Sequence, residues 1–147
     1  MFKRIVVGTD GSETAGEAVR QATELAKISE ARLDIVSAYE PIPRQRLQEE
    51  QREAPGDVQY ELGPREDVNM TLDAASRQAK QGEVDVNSHA REGDPADAIL
   101  DVAEEVQADL IVVGNKGMTG ARRFLLGSVP NKVSHHAPCS VIIVRTT

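Results

Sequence analysis

The sequence predicts an α/β fold: a doubly wound, five-stranded parallel sheet of order 3-2-1-4-5 with helices on both faces. Three observations predict it. Ile5-Val6-Val7 and Leu110-Ile111-Val112-Val113 are purely apolar and branched, as strands buried on both faces are. Segments with apolar residues at three- and four-residue steps alternate with such runs. Alternating strands and helices imply right-handed crossovers, which leave the strands parallel and the sheet covered. The 147 residues fit one domain, 1–147, long enough to bury a core without staples.

The first strand, Ile5 to Val7, stops at Gly8-Thr9-Asp10-Gly11-Ser12. A helix follows, with Ala15, Ala18, Val19, Ala22, Leu25 and Ala26 on one stripe and Thr14 and Glu17 at capping-box spacing. Leu33 to Tyr39 is the second strand. Residues 40–67 then form a polar insert, with proline and glycine at the turns and a short solvated helix at 44–53; it reads as a disordered excursion or as a lid. A second helix resumes near Glu66, buries Val68, Leu72, Ala75 and Ala79, and stops at Gly82. Val84 to His89 alternates apolar and polar, a half-exposed strand and hence an edge. Asp94 caps a third helix with Pro95 at its first position, and Ala96, Ile99, Ala103 and Val106 form its stripe. After the fourth strand, a fourth helix runs from Ser128, its expected N-cap, to about His136. Val141-Ile142-Ile143-Val144 is the last strand. It is a wholly apolar edge, best protected by a second copy in a twofold dimer or by the insert.

In a sheet of this order, ligands sit outside the carboxyl ends of the strands, where the winding reverses. That crevice lies between Gly8-Thr9-Asp10 and Gly114-Asn115-Lys116. Glycines mark the same place: Gly114, Gly117, Gly120 and Gly127 follow the fourth strand, so its loop backbone is free to approach a ligand and leads into a helix N-terminus, which attracts anions. Charge agrees. The chain carries 17 Lys and Arg against 24 Asp and Glu, a net of −7. All 24 acids and 12 of the basic residues lie within the first 109 residues, a net of −12 there; Lys116, Arg122, Arg123, Lys132 and Arg145 make the remainder +5. An acidic chain with one basic, glycine-rich loop suits a small anion, whereas a nucleic acid would require a broader basic face. The bland alternative is a surface loop whose charges aid solubility.

Other nucleotide machinery is excluded. Gly11 to Gly16 has P-loop glycine spacing, but Glu17-Ala18 stands where Lys-Ser/Thr is required. No dinucleotide fingerprint follows either apolar strand. A phosphoacceptor receiver would share Asp10 but needs an acid where Ser88-His89 stands. His135 and His136 are helix neighbours that suit the C-terminal dipole better than a metal, and His89 and Cys139 read as structural. With a single cysteine there is no internal disulfide, no apolar run approaches the ~20 residues of a membrane span, and Met1-Phe2-Lys3-Arg4 leads straight into a strand. A cytoplasmic protein without membrane or nucleic-acid partners is expected.

Gly114-x2-Gly117-x9-Gly127-Ser128 resembles the nucleotide-binding pattern G-x2-G-x9-G-[S/T] of the universal stress protein family. Ile5 to Ser12 is similar to that family's opening strand and turn, Asp109 to Gly114 to its fourth strand, and Leu125 to Val129 to its signature helix start, so the resemblance spans the chain. It implies a cytoplasmic homodimer joined through the last strands, at Val141, Ile142, Ile143 and Val144, that binds ATP or a related adenine nucleotide. It places Thr9 and Asp10 at the base and ribose, with Asp10 accepting from a sugar hydroxyl and meeting Mg2+ only indirectly, if Mg-ATP is bound. Ala38 and Val113 become apolar walls for adenine. Gly114 and Gly117 bring backbone to the phosphates, and Gly127, Ser128 and Val129 donate N–H or hydroxyl groups. Many relatives have Ser or Thr where this chain has Pro130, which removes a backbone donor and a hydroxyl. ATP is therefore the first expectation, with AMP or cyclic AMP next. A slow ATPase, with Asp10 as its one candidate group, and a partner-binding protein with an empty pocket are the alternatives.

Overall fold

The structure, a computed structural model, describes residues 1–40, 63–115 and 126–146. Its strands are β1 (Arg4–Gly8), β2 (Arg32–Tyr39), β3 (Val86–Glu92), β4 (Leu110–Gly114) and β5 (Ser140–Val144); its helices are α1 (Glu13–Ser29), α2 (Pro64–Gln81), α3 (Pro95–Glu105) and α4 (Ser128–His136). All five strands are parallel, in the order β3-β2-β1-β4-β5 that the sequence predicts.

The two-residue period of the strands splits the core in two. Ile5, Val7, Leu33, Ile35, Leu110 and Val112 face α1 and α2, meeting Ala18, Val19, Ala22, Ala26, Leu72 and Ala79. Val6, Val36, Ile111 and Val113 face α3 and α4, meeting Ala96, Ile99, Val102, Ala103 and Val133. β1 and β4 are central because they have an apolar residue for each face. Burying one such side chain contributes roughly 1.5–3 kcal/mol. At the amino ends of these strands the chain's last acid acts as a clamp: Asp109 accepts from the N–H groups of Lys3 (2.8 Å) and Arg4 (3.0 Å).

Helix starts depart from expectation twice. The pair Thr14–Glu17 does not form a capping box. Ser12 is the N-cap of α1, extended at φ −70°, ψ 161°, and its hydroxyl accepts from the Ala15 N–H. Thr14 is already inside the helix. Glu17 pairs instead with Arg20 at 2.6 Å, which lowers its carboxyl pKa to about 2. Nor does Ser128 cap α4. Gly127 holds the extended cap conformation (φ −63°, ψ 165°), and Ser128 is the first helical residue.

The third strand also sits later than its alternation suggests. It pairs with β2 from Leu33↔Val86 to Tyr39↔Glu92. Val84 is buried ahead of it, while the ladder continues past His89, where the alternating pattern ended, through Ala90, Arg91 and Glu92, and Arg91 reaches Glu105 on α3 (2.6 Å). α2 starts at Pro64, two residues before Glu66, and Gly82 ends it. The helix at 44–53 lies outside the described residues, as does the 40–67 insert apart from Glu40 and residues 63–67.

The two edges differ. β3 is partly polar, whereas β5 is Ser-Val-Ile-Ile-Val with Ile143 38% exposed. No described helix is long and apolar enough to cross a membrane.

Candidate functional site

The crevice follows from the pairing. β1 and β4 are in register from Ile5↔Leu110 to Val7↔Val112, and there their ladder ends. Beyond it β1 follows β2: Gly8 pairs Val36, and the Thr9 N–H donates to the Val36 carbonyl at 2.9 Å. β4 follows β5 instead: Gly114 pairs Val144, and the Asn115 N–H donates to the Val144 carbonyl at 2.9 Å. The central strands therefore part at the winding reversal, one residue short of Gly8 and Val113.

One lip is the turn after β1, which is bonded to itself. The Thr9 hydroxyl accepts from the Gly11 N–H (3.2 Å), and Asp10 Oδ1 accepts from the Ser12 N–H (2.9 Å), a local side-chain turn. That bond engages one of the two oxygens of the exposed Asp10 carboxylate. Gly11 has φ +82°, and a Cβ there would lie 2.8 Å from the Thr71 hydroxyl of α2, so both backbone and space require glycine. At Gly8 a Cβ would overlap Ile99, so the missing side chain lets α3 pack close under the crevice. Ala38 and Val113 lie on the same sheet face, in or against the core on the α3 and α4 side; Val113 is buried and Ala38 half-buried.

The other lip is the start of α4. Each helix follows a parallel strand, so all four N-termini point to this end of the sheet. They are not equivalent. Ser12 caps α1, and Glu13 lies in its first turn. Asp94 caps α3, and Asp97 lies in its first turn. α2 lacks a side-chain cap but carries Glu66 and Asp67. α4 has no side-chain cap and no acid in its first turn. Its first N–H groups and the positive end of its dipole are thus open to an anion.

Among the described residues the donor count there is small. The Gly127 N–H is already engaged by the Asn115 carbonyl at 2.9 Å. Pro130, buried in the first turn, has no N–H. Ser128 and Val129 are left, at positions where the helix itself supplies no acceptor. Lys132 is committed elsewhere, to Asp97 (2.8 Å) and Asp94 (3.5 Å) of α3. Thus the structure brings Thr9, Asp10, Gly114, Gly127, Ser128 and Val129 to the two lips. Gly117 and the cations Lys116, Arg122 and Arg123 lie outside the described residues.

Two features escape pattern reading. Asp34 is fully buried on β2, where only Leu33, Ile35 and Val36 stand out in the sequence. Its Oδ1 lies 2.8 Å from His89 Nε2 on β3, and its Oδ2 has no hydrogen-bond partner among the described residues. An acid inside an apolar strand was the available signal. Asn115 is the second. Its Oδ1 accepts from the N–H (2.9 Å) and hydroxyl (3.0 Å) of Thr146, so with its backbone it joins the ends of β4 and β5 to the start of α4. Those partners lie too far along the chain to leave a local signal. Cys139 keeps its structural reading: burial, with Asp109 nearby, raises its thiol pKa above the usual value. Among the described residues no group of three His, Cys, Asp or Glu side chains is placed to hold a metal ion.

Residues 1–145 match the universal stress protein family. The chain is 39% identical over 149 aligned positions to universal stress protein Rv1636 of Mycobacterium tuberculosis, covering 99% of this chain and 98% of that one. It is 33% identical over 148 to universal stress protein MJ0531 of Methanocaldococcus jannaschii, covering 99% and 83%. Among solved structures, a universal stress protein in complex with cAMP aligns with a TM-score of 0.73 at 34% identity, covering 99% of this chain and 98% of the other. The chain therefore belongs to the universal stress protein family.

Proposed function

We propose that this protein is a homodimeric adenine-nucleotide sensor that seats a single phosphate on the bare N-terminus of α4, with cyclic AMP ahead of ATP. The observation that carries this reading is the contrast among the four described helix starts, of which α4 alone lacks both cap and acid. Two peptide donors, Ser128 and Val129, suit one phosphate, and the similar protein solved with cAMP supports that choice. We place cyclic AMP ahead of ATP, the first expectation from sequence, because among the described residues Gly127 as well as Pro130 offers no N–H to a longer phosphate chain. Asp10, at the opposite lip, is the acceptor for a sugar hydroxyl, and Ala38 and Val113 supply the apolar wall for the base. Gly114 and Gly117 admit the loop backbone, and Mg2+ enters only with ATP. The apolar edge strand with Val141, Ile142, Ile143 and Val144, of which Ile143 is exposed, Val141 and Ile142 half-buried and Val144 buried, is the seam for a second copy.

Calorimetric titration with cyclic AMP, AMP and ATP tests the reading. Cyclic AMP should bind at least about tenfold more tightly than ATP, a difference of ~1.4 kcal/mol. Tighter ATP binding overturns that order. Gly114→Val, which sets a branched side chain beside the crevice, should abolish binding of all three, and wild-type affinity in that variant would place the site elsewhere.

A further inference from the structure

We infer that Asn115 is a positioning residue that couples nucleotide occupancy to the C-terminal edge strand, an inference that rests on the nucleotide site proposed above. Its N–H donates to Val144, its carbonyl accepts from Gly127, and its side-chain oxygen accepts both donors of Thr146. That side-chain oxygen is thereby saturated. One residue thus ties together the end of β4, the cap of α4 and the segment leaving β5, across as many as 31 positions of sequence.

The mechanical consequence follows from adjacency. An anion that draws in the N–H groups of Ser128 and Val129 fixes the neighbouring Gly127. Fixing Gly127 holds its bond to Asn115, and a fixed Asn115 holds Thr146. The segment so held follows directly on β5, whose Ile143 is exposed at the sheet edge. By reciprocity, whatever orders β5 and its exit pre-positions the start of α4 and tightens nucleotide binding. Thr146 lies past the last strand and is not among the groups proposed to meet the nucleotide, so an effect of Thr146 on affinity must pass through Asn115.

Hydrogen exchange and calorimetry on the full chain test this. Cyclic AMP should slow amide exchange at residues 140–146 at least about threefold in the wild type and leave it unmoved in Asn115→Ala. Thr146→Val, which keeps shape and N–H but removes the hydroxyl, should weaken cyclic AMP binding about fivefold, the scale of one hydrogen bond, and Thr146→Ser should restore it. A merely structural role would lower thermal stability in Thr146→Val with affinity intact. Normal affinity in both Asn115→Ala and Thr146→Val, with no protection of the C-terminal segment, overturns the coupling and leaves the nucleotide site standing. If the wild type binds none of cyclic AMP, AMP and ATP, the site falls and the coupling with it.

Discussion

Two helices, α1 and α4, begin on opposite lips of one crevice, and they begin differently. α1 starts at Ser12, whose hydroxyl takes the Ala15 N–H, beneath a turn in which Thr9 and Asp10 take two more amides. α4 starts at Gly127, which has no side chain to offer, and its first turn holds no acid. One terminus is closed by its own residues; the other is left for something else. Leaving it so costs only a few tenths of a kcal/mol, because glycine is a fair cap by conformation, whereas alanine there would forgo about 0.5–2 kcal/mol. The comparison teaches that a withheld cap, rather than a side chain placed at the terminus, distinguishes the start of α4. Lys132, the described cation nearest in sequence, is turned to the acids of α3.

The strongest way to break this contrast is to close the open terminus. Gly127→Asp gives α4 a cap and a negative charge, in a backbone conformation that any residue adopts. Cyclic AMP affinity should fall more than about 100-fold, or ~2.7 kcal/mol, while thermal unfolding moves upward by a few tenths to about 1 kcal/mol. Retained affinity in a stabler protein would show that the terminus is not the anion site. A subtler change removes one donor. Ser128→Pro sits at the first helical position, where proline is tolerated, and deletes the N–H and hydroxyl together. Calorimetry should find binding weakened about 10- to 100-fold, the scale of a charge-assisted hydrogen bond, with the circular dichroism of the fold unchanged. The smallest effect on binding belongs to the closed terminus. Ser12→Ala should cost about 1 kcal/mol of stability, a few degrees in thermal unfolding, with cyclic AMP affinity within about twofold of wild type. A large loss of affinity there would erase the distinction between the lips.

Much of this was legible in the sequence. The strand order followed from two apolar runs that serve both sheet faces, and the crevice followed from the order. Helix starts were harder, because a cap is recognised by its side chain: Thr14 and Glu17 spelled a motif that Ser12 pre-empts, and Gly127 caps by conformation alone. β3 extended past its alternating pattern because β2 runs on to Tyr39 beside it, and Arg91 there meets Glu105 on another element. Asp34–His89 and the junction at Asn115 depend on partners set side by side only by the folded sheet. The place of the candidate site was thus readable from strand order, whereas which amides are already taken was unreadable, because tertiary neighbours decide it.

The most direct measurement is an amide proton–nitrogen correlation spectrum recorded during titration with cyclic AMP. The Ser128 and Val129 amide protons should move downfield and saturate together, while Gly127, held by Asn115, shifts less and Ala15, held by Ser12, stays in place. A saturable response at Ala15 with Ser128 and Val129 unmoved would contradict the account.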